Sequence, residues 1–285
     1  MIIFEPHLAG TGGDMLLAAL LAIGGNEEIL RRFPALPELG VRSVAILPRE
    51  VFAGGIRSIR IDVSIDEEPV HRNLMDMTLL LESAGNSIGA SGGSIERSRE
   101  VLELIFAAEA SVHGKTADSV HLHEIGGYDT IIDTLGFFLL LESLGDPAVI
   151  STTPSAGGGT VQTAHGLLHV PVPAVCSIAA STGMPLQGGP VHEELLTPTG
   201  AAILASSASF VETLPAFRTL KTGYGAGNKV LSIPNVIRAI LAEPLEKIPQ
   251  KPSETDADTH HHHHQHDDDT HDGGSGRNHH SGRKH

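Results

Sequence analysis

Short apolar runs and helix-periodic stretches alternate along the chain from residue 1 to about residue 245. Residues 1–4 predict a buried strand, and the turn over residues 6–13 leads into a helix that Asp14 opens. Residues 128–144 predict the longest apolar helix, which Gly145 closes in the position that a left-handed cap prefers. The other predicted strands cover residues 44–47, 56–65, 149–152, 217–224 and 235–242, and the other predicted helices cover residues 71–81, 95–110, 174–181 and 198–206, with a glycine-rich loop at 85–93.

This order of elements sets the expected fold class and the domain boundary. Alternating strands and helices indicate an α/β or mixed α+β fold with a mixed sheet. From Pro244 onward the apolar pattern stops, and His, Asp, Ser and Gly dominate. Such a segment has too few apolar groups to offset the entropy of ordering it. We therefore predict one α/β domain over residues 1–245 and a disordered, metal-binding tail over residues 246–285.

The composition narrows the class of protein. The 285 residues include 19 Lys and Arg against 34 Asp and Glu, a formal net charge of -15, which argues against a nucleic-acid or anionic-membrane partner. No basic leader precedes an apolar stretch, and no window approaches about 18 uninterrupted apolar residues, so we expect a soluble cytoplasmic protein. The single cysteine, Cys176, excludes internal disulfides and thiolate-rich metal sites. Its apolar surroundings predict that its side chain is buried.

The segment His121-Leu122-His123-Glu124 is the first candidate for metal chemistry. Residues i and i+2 of an extended chain face the same side, so the imidazoles of His121 and His123 can converge on one ion. The carboxylate of Glu124 can ligate the ion directly or orient an imidazole. Two surface histidines on an edge strand are the alternative interpretation.

Two carboxylates follow at helical spacing. Asp129 and Asp133 stand at positions i and i+4 in the first turns of the apolar helix, so they lie on one face of it. Capping explains Asp129, but Asp133 lies a turn deeper. Imidazole with carboxylate suits Ni, Fe, Mn or Zn, and the absence of thiolates argues against a closed structural zinc site. We predict a metal site with the ligands His121, His123, Glu124, Asp129 and Asp133.

The turn before the first helix is a candidate anion site. Gly10, Gly12, Gly13 and Asp14 lie between a strand and a helix, where backbone N–H groups can cradle a phosphate. The segment matches neither of the common glycine-rich nucleotide motifs. A tight turn capped by Asp14 explains these residues equally well.

A second helix start, at Thr197-Pro198-Thr199, has the same two interpretations. Thr197 suits the N-cap position and Pro198 the first helical position, and the exposed N–H groups can hold an anion. Farther along the chain, Lys221 and Lys229 flank a glycine-rich strand end. They either meet an anionic substrate or are simply solvated.

A glycine run at residues 157–159 begins a mobile or close-packed loop that carries two histidines. His165 is flanked by small residues, so it reaches a neighbour more easily than His169 does.

The tail contains ten of the 18 histidines within its last 26 residues. Near neutral pH most imidazoles are unprotonated and available to a metal ion, whereas acid charges them and releases it. A purification tag and a spacer without function are the alternatives. We predict metal ligands at His260, His261, His262, His263, His264 and His266.

Several segments together resemble one family, the nickel-insertion proteins that complete the nickel-pincer cofactor of lactate racemase. The resemblance covers essentially all of residues 1–243, with the motifs in the same order and at similar separations. The motifs are MIIFEPHLAGTGGDMLLAALLAIG, AEASVHG, HLHEIGGYDTIIDTLG, GGGTVQTAHGLLHVPVPA, ELLTPTGAAIL and GYGAGN followed by PNVIRAILAE.

The resemblance implies a nickel insertase, a cyclometallase of the lyase class. Such an enzyme takes pyridinium-3,5-bisthiocarboxylic acid mononucleotide, binds Ni(II) between the two sulfur atoms, and forms a nickel–carbon bond at the ring carbon between them. CTP hydrolysis with Mg or Mn accompanies the reaction. The implied partners are this pyridinium-derived mononucleotide and lactate racemase or a similar apoenzyme, and we also expect a homo-oligomer.

The resemblance also suggests roles for residues. Besides the metal ligands above, it includes the glycine turn, His113 and His165. Loss of the ring proton requires a base, for which Glu124, His165 and Asp14 are the candidates. The anionic groups of the substrate require backbone amides of the glycine turn, the Thr197 and Thr199 helix start, and a local cation such as Lys221 or Arg72.

The chain departs from the family in two respects. Gly12 stands where the family commonly has a small residue or Ser, and Glu5 stands where Asp is usual. Complete family members continue into a CTP-binding domain, whereas this chain continues into the histidine-rich tail. We therefore expect a separately encoded CTP-binding second half.

Two other functions fit the same residues. A nickel-storage protein or metallochaperone without turnover needs only the histidines. A metal-dependent phosphoester hydrolase is suggested by acidic and histidine ligands beside two helix starts suited to anions.

Overall fold

A computed structural model describes residues 1–68, 72–120 and 127–245 of the chain, which form nine strands and seven α-helices. The strands are β1 (Ile2–Glu5), β2 (Val41–Ala53), β3 (Ile56–Glu67), β4 (Val149–Thr152), β5 (Thr160–Thr163), β6 (Gly166–His169), β7 (Ala208–Val211), β8 (Phe217–Ala226) and β9 (Val236–Pro244). The helices are α1 (Gly13–Ala22), α2 (Glu28–Arg31), α3 (Leu74–Ile88), α4 (Gly92–His113), α5 (Tyr128–Ser143), α6 (Pro173–Thr182) and α7 (Pro198–Ser207).

Seven of the strands form one mixed sheet in the order β2-β3-β8-β9-β1-β4-β7, and β5 and β6 form a separate hairpin. Strand β1 is parallel to β4 and antiparallel to β9, and β4 is parallel to β7. The hairpin of β2 and β3 joins the sheet through parallel pairing of β3 with β8. The predicted α/β fold with a mixed sheet is confirmed.

The central strand β1 is buried on both faces, which explains its unbroken apolar sequence. Ile2 and Phe4 point into the main core beneath the helices. Ile3 points to the opposite face, where it lies between Ile150 of β4 and Ile240 of β9 in a smaller apolar cluster. This alternation fixes the register of β1, and therefore the place where the chain leaves the sheet toward α1.

Helix α1 lies against the backbone of β8 because glycine lets the two approach. A Cβ atom at Gly225 would lie 2.0 Å from the carbonyl oxygen of Met15, and one at Gly223 would lie 2.4 Å from the Cβ of Ala22. On its other side α1 contacts α5, where Leu17 packs against Gly136. The N-terminal ends of α1 and α5 are thereby placed beside each other.

Most of the predicted elements are present, and the structure corrects three local expectations in the first half of the chain. The predicted loop at residues 85–93 is largely helical, because α3 continues through Ile88. Gly85 serves packing there: a Cβ atom would lie 2.8 Å from Ile95 of α4. Strand β2 is longer than predicted. Helix α1 is preceded by Gly12 as its N-cap, and Asp14 lies inside the first turn.

Three further corrections concern the second half. The segment expected to be a loop at residues 157–171 contains the β5–β6 hairpin, and β7 was not predicted. Cys176 is exposed, because it lies on the outward side of α6 while Val175 and Ile178 face the core. None of the described helices is both long and apolar enough to span a membrane.

Candidate functional site

A cavity of about 1010 Å³ opens where several helix ends meet. The first turns of α1, α5, α6 and α7 line it, together with the C-terminal end of α4, strand β3 and the β5–β6 hairpin. The N-terminal end of a helix carries unpaired N–H groups and a partial positive charge. Four such ends around one cavity make it a place where anions are stabilised.

Three aspartates also line this cavity, and glycine allows them to come together. Asp14 lies in the first turn of α1, and Asp129 and Asp133 lie one turn apart on α5. A Cβ atom at Gly13 would lie 2.3 Å from Oδ2 of Asp133, so the Asp133 carboxylate sits directly against the start of α1. Asp14 Oδ1 accepts a hydrogen bond from the N–H of Met15 at 2.8 Å.

The electrostatics of the three carboxyls favour a cation or a proton among them. Burial raises the pKa of Asp133 well above its usual value, and the charges of Asp14 and Asp129 raise it further. Burial is also the largest cause that raises the pKa of Asp14 and of Asp129. For Asp129 the charge of Glu67 adds to this effect. A bound divalent cation would relieve the repulsion among these groups.

Glu67 at the end of β3 holds the start of α5. Its two carboxylate oxygens accept the N–H of Tyr128 at 3.4 and 3.3 Å. The guanidinium of Arg72, whose side chain is buried, donates to Glu67 Oε2 at 2.7 Å. Gly127 has no side chain because a Cβ atom there would lie 2.9 Å from Glu67 Oε1. Glu67 therefore fixes the orientation of the turn that carries Asp129.

The starts of α7 and α1 are joined. The Thr197 N–H donates to the carbonyl oxygen of Thr11 at 3.1 Å, and Thr197 Oγ1 accepts the N–H of Gly200 at 3.1 Å. The predicted capping role of Thr197 is therefore confirmed. Gly200 is required because a Cβ atom there would lie 2.4 Å from the carbonyl oxygen of Thr11. The chain thus brings two helix starts to one edge of the cavity.

The histidines at the cavity lie on two different elements. His113 is the last residue of α4 and His165 lies in the turn of the β5–β6 hairpin, and their ring centroids are 4.9 Å apart. Nε2 of His113 lies 3.6 Å from Oε2 of Glu109.

The structure brings eight of the predicted site residues to this cavity: Gly12, Gly13, Asp14, Asp129, Asp133, His165, Thr197 and Thr199. Gly10 does not line it. The φ of +61° at Gly10 and the 2.2 Å between a Cβ atom there and the Leu195 carbonyl oxygen show a structural role for this glycine. Lys221 lies near Gly24, just beyond the C-terminal end of α1, whereas Lys229 lines the cavity.

The remaining predicted ligands lie outside the described residues. They are His121, His123, Glu124, His260, His261, His262, His263, His264 and His266. Within residues 1–68, 72–120 and 127–245, no three His, Cys, Asp or Glu side chains are placed to enclose a metal ion. The metal site therefore stays a prediction.

Sequence reasoning missed three carboxylates that complete the cavity wall: Glu67, Glu109 and Glu194. Each lies far along the chain from the aspartates, so spacing gave no signal for them. Among the described residues that line the cavity, six are Asp or Glu and one, Lys229, is Lys or Arg. Lys229 itself is 3.4 Å from Glu194 Oε2. The cavity combines helix-end N–H groups with an excess of carboxylates.

A family model described as "Nickel insertion protein" matches residues 2–271 of this chain. The chain belongs to the nickel insertion protein family. A relative in this family from Desulfitobacterium hafniense bears the name "Pyridinium-3,5-bisthiocarboxylic acid mononucleotide nickel insertion protein" and is 35% identical over 235 residues, which cover 82% of this chain and 56% of the relative.

Two further nickel insertion family relatives are similar over the same part. A provisionally named nickel insertion protein from Methanothrix thermoacetophila is 37% identical over 243 residues, which cover 85% of this chain and 59% of the relative. One from Roseiflexus castenholzii is 37% identical over 246 residues, which cover 86% of this chain and 60% of the relative. The chain thus spans less than two thirds of the length of these relatives. No solved structure matches it.

Proposed function

We propose that this chain inserts Ni(II) into pyridinium-3,5-bisthiocarboxylic acid mononucleotide, and that the reaction takes place in the cavity described above. The observation that carries the proposal is the meeting of three half-exposed or exposed carboxylates with four helix N-terminal ends around one space of about 1010 Å³. The carboxylates suit the cation, and the helix ends suit the anionic substrate. The family of the chain and the name of its relative from Desulfitobacterium hafniense support the same reaction.

The substrate named for that relative has two thiocarboxylates and a phosphate, so it is an anion of several charges. Helix N-terminal ends bind such groups through their N–H groups. We assign this role to the starts of α1 and α7, at Gly12, Gly13, Thr197 and Thr199, with Lys229 as the nearest cation. The cavity is at the upper end of the usual volume of a ligand site, about 300–1,000 Å³, so a mononucleotide fits.

The nickel ion is the second substrate, and the acid-rich wall attracts it. Asp129 and Asp133 face the cavity from α5. The predicted ligands His121, His123 and Glu124 precede that helix in sequence by only a few residues. Nitrogen and oxygen ligands hold nickel less firmly than a thiolate cage does. The ion can therefore pass to the two sulfur atoms of the substrate.

Formation of the nickel–carbon bond requires that the ring carbon between the thiocarboxylates lose its proton. The electron pair of the C–H bond forms the bond to nickel, and the proton passes to a base. We propose Asp14, His165 or Glu124 for this role. Asp14 and His165 line the cavity. The raised pKa of Asp14 makes it a stronger base than an ordinary aspartate, which favours transfer of the proton.

The further components are also proposals. CTP with Mg or Mn acts through a separately encoded second half, corresponding to the part of the relatives that this chain does not cover. The recipient of the product is lactate racemase or a similar apoenzyme. The chain acts in the cytoplasm, as a homo-oligomer.

An insertion assay tests the proposal. The chain is mixed with the mononucleotide, Ni(II), Mg(II) or Mn(II), CTP and the missing part of the Desulfitobacterium hafniense relative, and the product is followed by mass spectrometry. The full-length relative is the positive control. We expect a nickel-containing product, lost when His121 and His123 are both changed to Ala and retained when His7 and His192, which lie on the surface, are changed instead. Nickel binding without product, while the positive control is active, would favour the storage function.

A further inference from the structure

The two cavity histidines form a pair that the metal prediction did not include. His113 ends α4, and His165 lies 52 positions later in the turn between β5 and β6. Their ring centroids are 4.9 Å apart and the ring planes are tilted by 52°. Two separate elements therefore present imidazoles to each other at the wall of the cavity.

Local contacts hold each histidine in place. The main-chain N–H of His165 donates to Oγ1 of Thr163 at 3.1 Å, and the same hydroxyl donates to the carbonyl oxygen of Gly166 at 3.0 Å, which closes the hairpin turn. His113 lies one helical turn after Glu109, and its Nε2 lies 3.6 Å from Glu109 Oε2. A carboxylate beside one ring nitrogen is the usual arrangement that orients a metal-binding histidine.

The spacing of the rings suits a shared metal ion. A transition metal lies about 2.0–2.1 Å from an imidazole nitrogen, which places the centroids of two rings on one ion about 5 Å apart. The observed 4.9 Å agrees with that distance, and the tilt of 52° shows that the rings are not stacked in parallel. Since Nε2 of His113 faces Glu109, Nδ1 is the donor that remains on this ring.

We propose that His113 and His165 form a two-imidazole docking site for a divalent transition-metal ion, with Glu109 orienting His113. Its other coordination positions are filled by water. That the ion is nickel, on its way to the aspartates of the same cavity, rests on the proposed function, but the site itself does not. Two protein ligands give weak, exchangeable binding, which suits an ion that is passed on.

Histidine footprinting tests this site in the full chain, because it reads each histidine separately from the tail. Diethyl pyrocarbonate modification is followed by peptide mass spectrometry with and without Ni(II). We expect Ni(II) to slow the modification of His113 and His165 at least threefold at the same nickel concentration, and to leave His7 and His192 unchanged. Equal rates with and without nickel at His113 and His165 would overturn the proposal.

Variants test whether the two histidines act as one site. His165→Gln, a change in an exposed turn, should abolish nickel protection of His113, and His113→Gln should do the same for His165. His169→Gln, on the same hairpin, should leave both protected. Protection of His113 that persists in His165→Gln would contradict a shared ion. Because footprinting requires no turnover, its failure beside an active insertion assay would refute this site alone, and the reverse would refute the proposed function alone.

Discussion

The contact between Gly13 and Asp133 predicts a large effect from the smallest substitution. A Cβ atom at Gly13 would lie 2.3 Å from Oδ2, 2.6 Å from Cγ and 2.7 Å from Cβ of Asp133. Rotation of the Asp133 side chain moves the oxygen and Cγ, but it leaves Cβ in place. Gly13→Ala therefore forces α1 and α5 apart by several tenths of an ångström.

The cost follows from that displacement. Overpacking between well-packed elements costs about 1–3 kcal/mol, and the helical preference of Ala over Gly returns about 0.5–1 kcal/mol. We expect the free energy of unfolding to fall by about 1–2 kcal/mol. In a domain of this size each kcal/mol shifts Tm by about 2–4 °C, so Tm should fall by about 2–8 °C.

Thermal unfolding followed by circular dichroism measures this effect. The matched control is Gly92→Ala at the start of α4, where a Cβ atom meets nothing within 4 Å, and its Tm should stay equal or rise. Asp133→Ala removes two of the three close atoms, so Gly13→Ala should cost about 0.5 kcal/mol less in that background. If Gly13→Ala melts as Gly92→Ala does, the close packing of α1 on Asp133 is wrong.

Three other variants or labels test separate parts of the account. Asp133→Asn should be stabilised relative to wild type as pH rises from about 4 to 8, because the raised pKa of Asp133 makes the wild type lose stability over that range; parallel curves of Tm against pH would contradict this. Arg72→Met should cost about 3–5 kcal/mol in urea unfolding, since it leaves Glu67 without its buried partner, whereas Arg42→Met, at an exposed ion pair, should leave the midpoint unchanged. Cys176 should react with Ellman's reagent in the native protein, and a thiol that reacts only after unfolding would show that it is buried.

The periodic elements were predictable from sequence because their patterns are strong. β4 has the predicted bounds, and α5 and α7 differ from prediction by about one residue. The β5–β6 hairpin was not predicted: its strands have four residues each, none of them buried, so burial leaves no clear pattern there. The loop expected at residues 85–93 was wrong because glycine in a helix can serve close packing as well as turns.

The site was predictable where its residues are close in sequence. The spacing of Asp129 and Asp133 placed both on one face, and the glycine turn before Asp14 was a clear signal. Glu67 could not be found this way, because the pairing of β3 with the rest of the sheet brings it to α5. For the same reason the sequence favoured Lys221, whereas Lys229 is the lysine at the cavity. Contacts between distant elements depend on the register of the sheet.

The rate of product formation by Asp133→Asn tests the central claim most directly, since this residue faces the cavity from α5 and lies against the start of α1. Initial rates of the nickel-containing product are measured by mass spectrometry in the insertion assay, with Gly92→Ala as the control. Loss of a group that binds the metal lowers affinity or activity by about 10–100-fold. We predict a rate at least tenfold below wild type for Asp133→Asn and an unchanged rate for Gly92→Ala. A rate for Asp133→Asn equal to that of wild type would contradict the account.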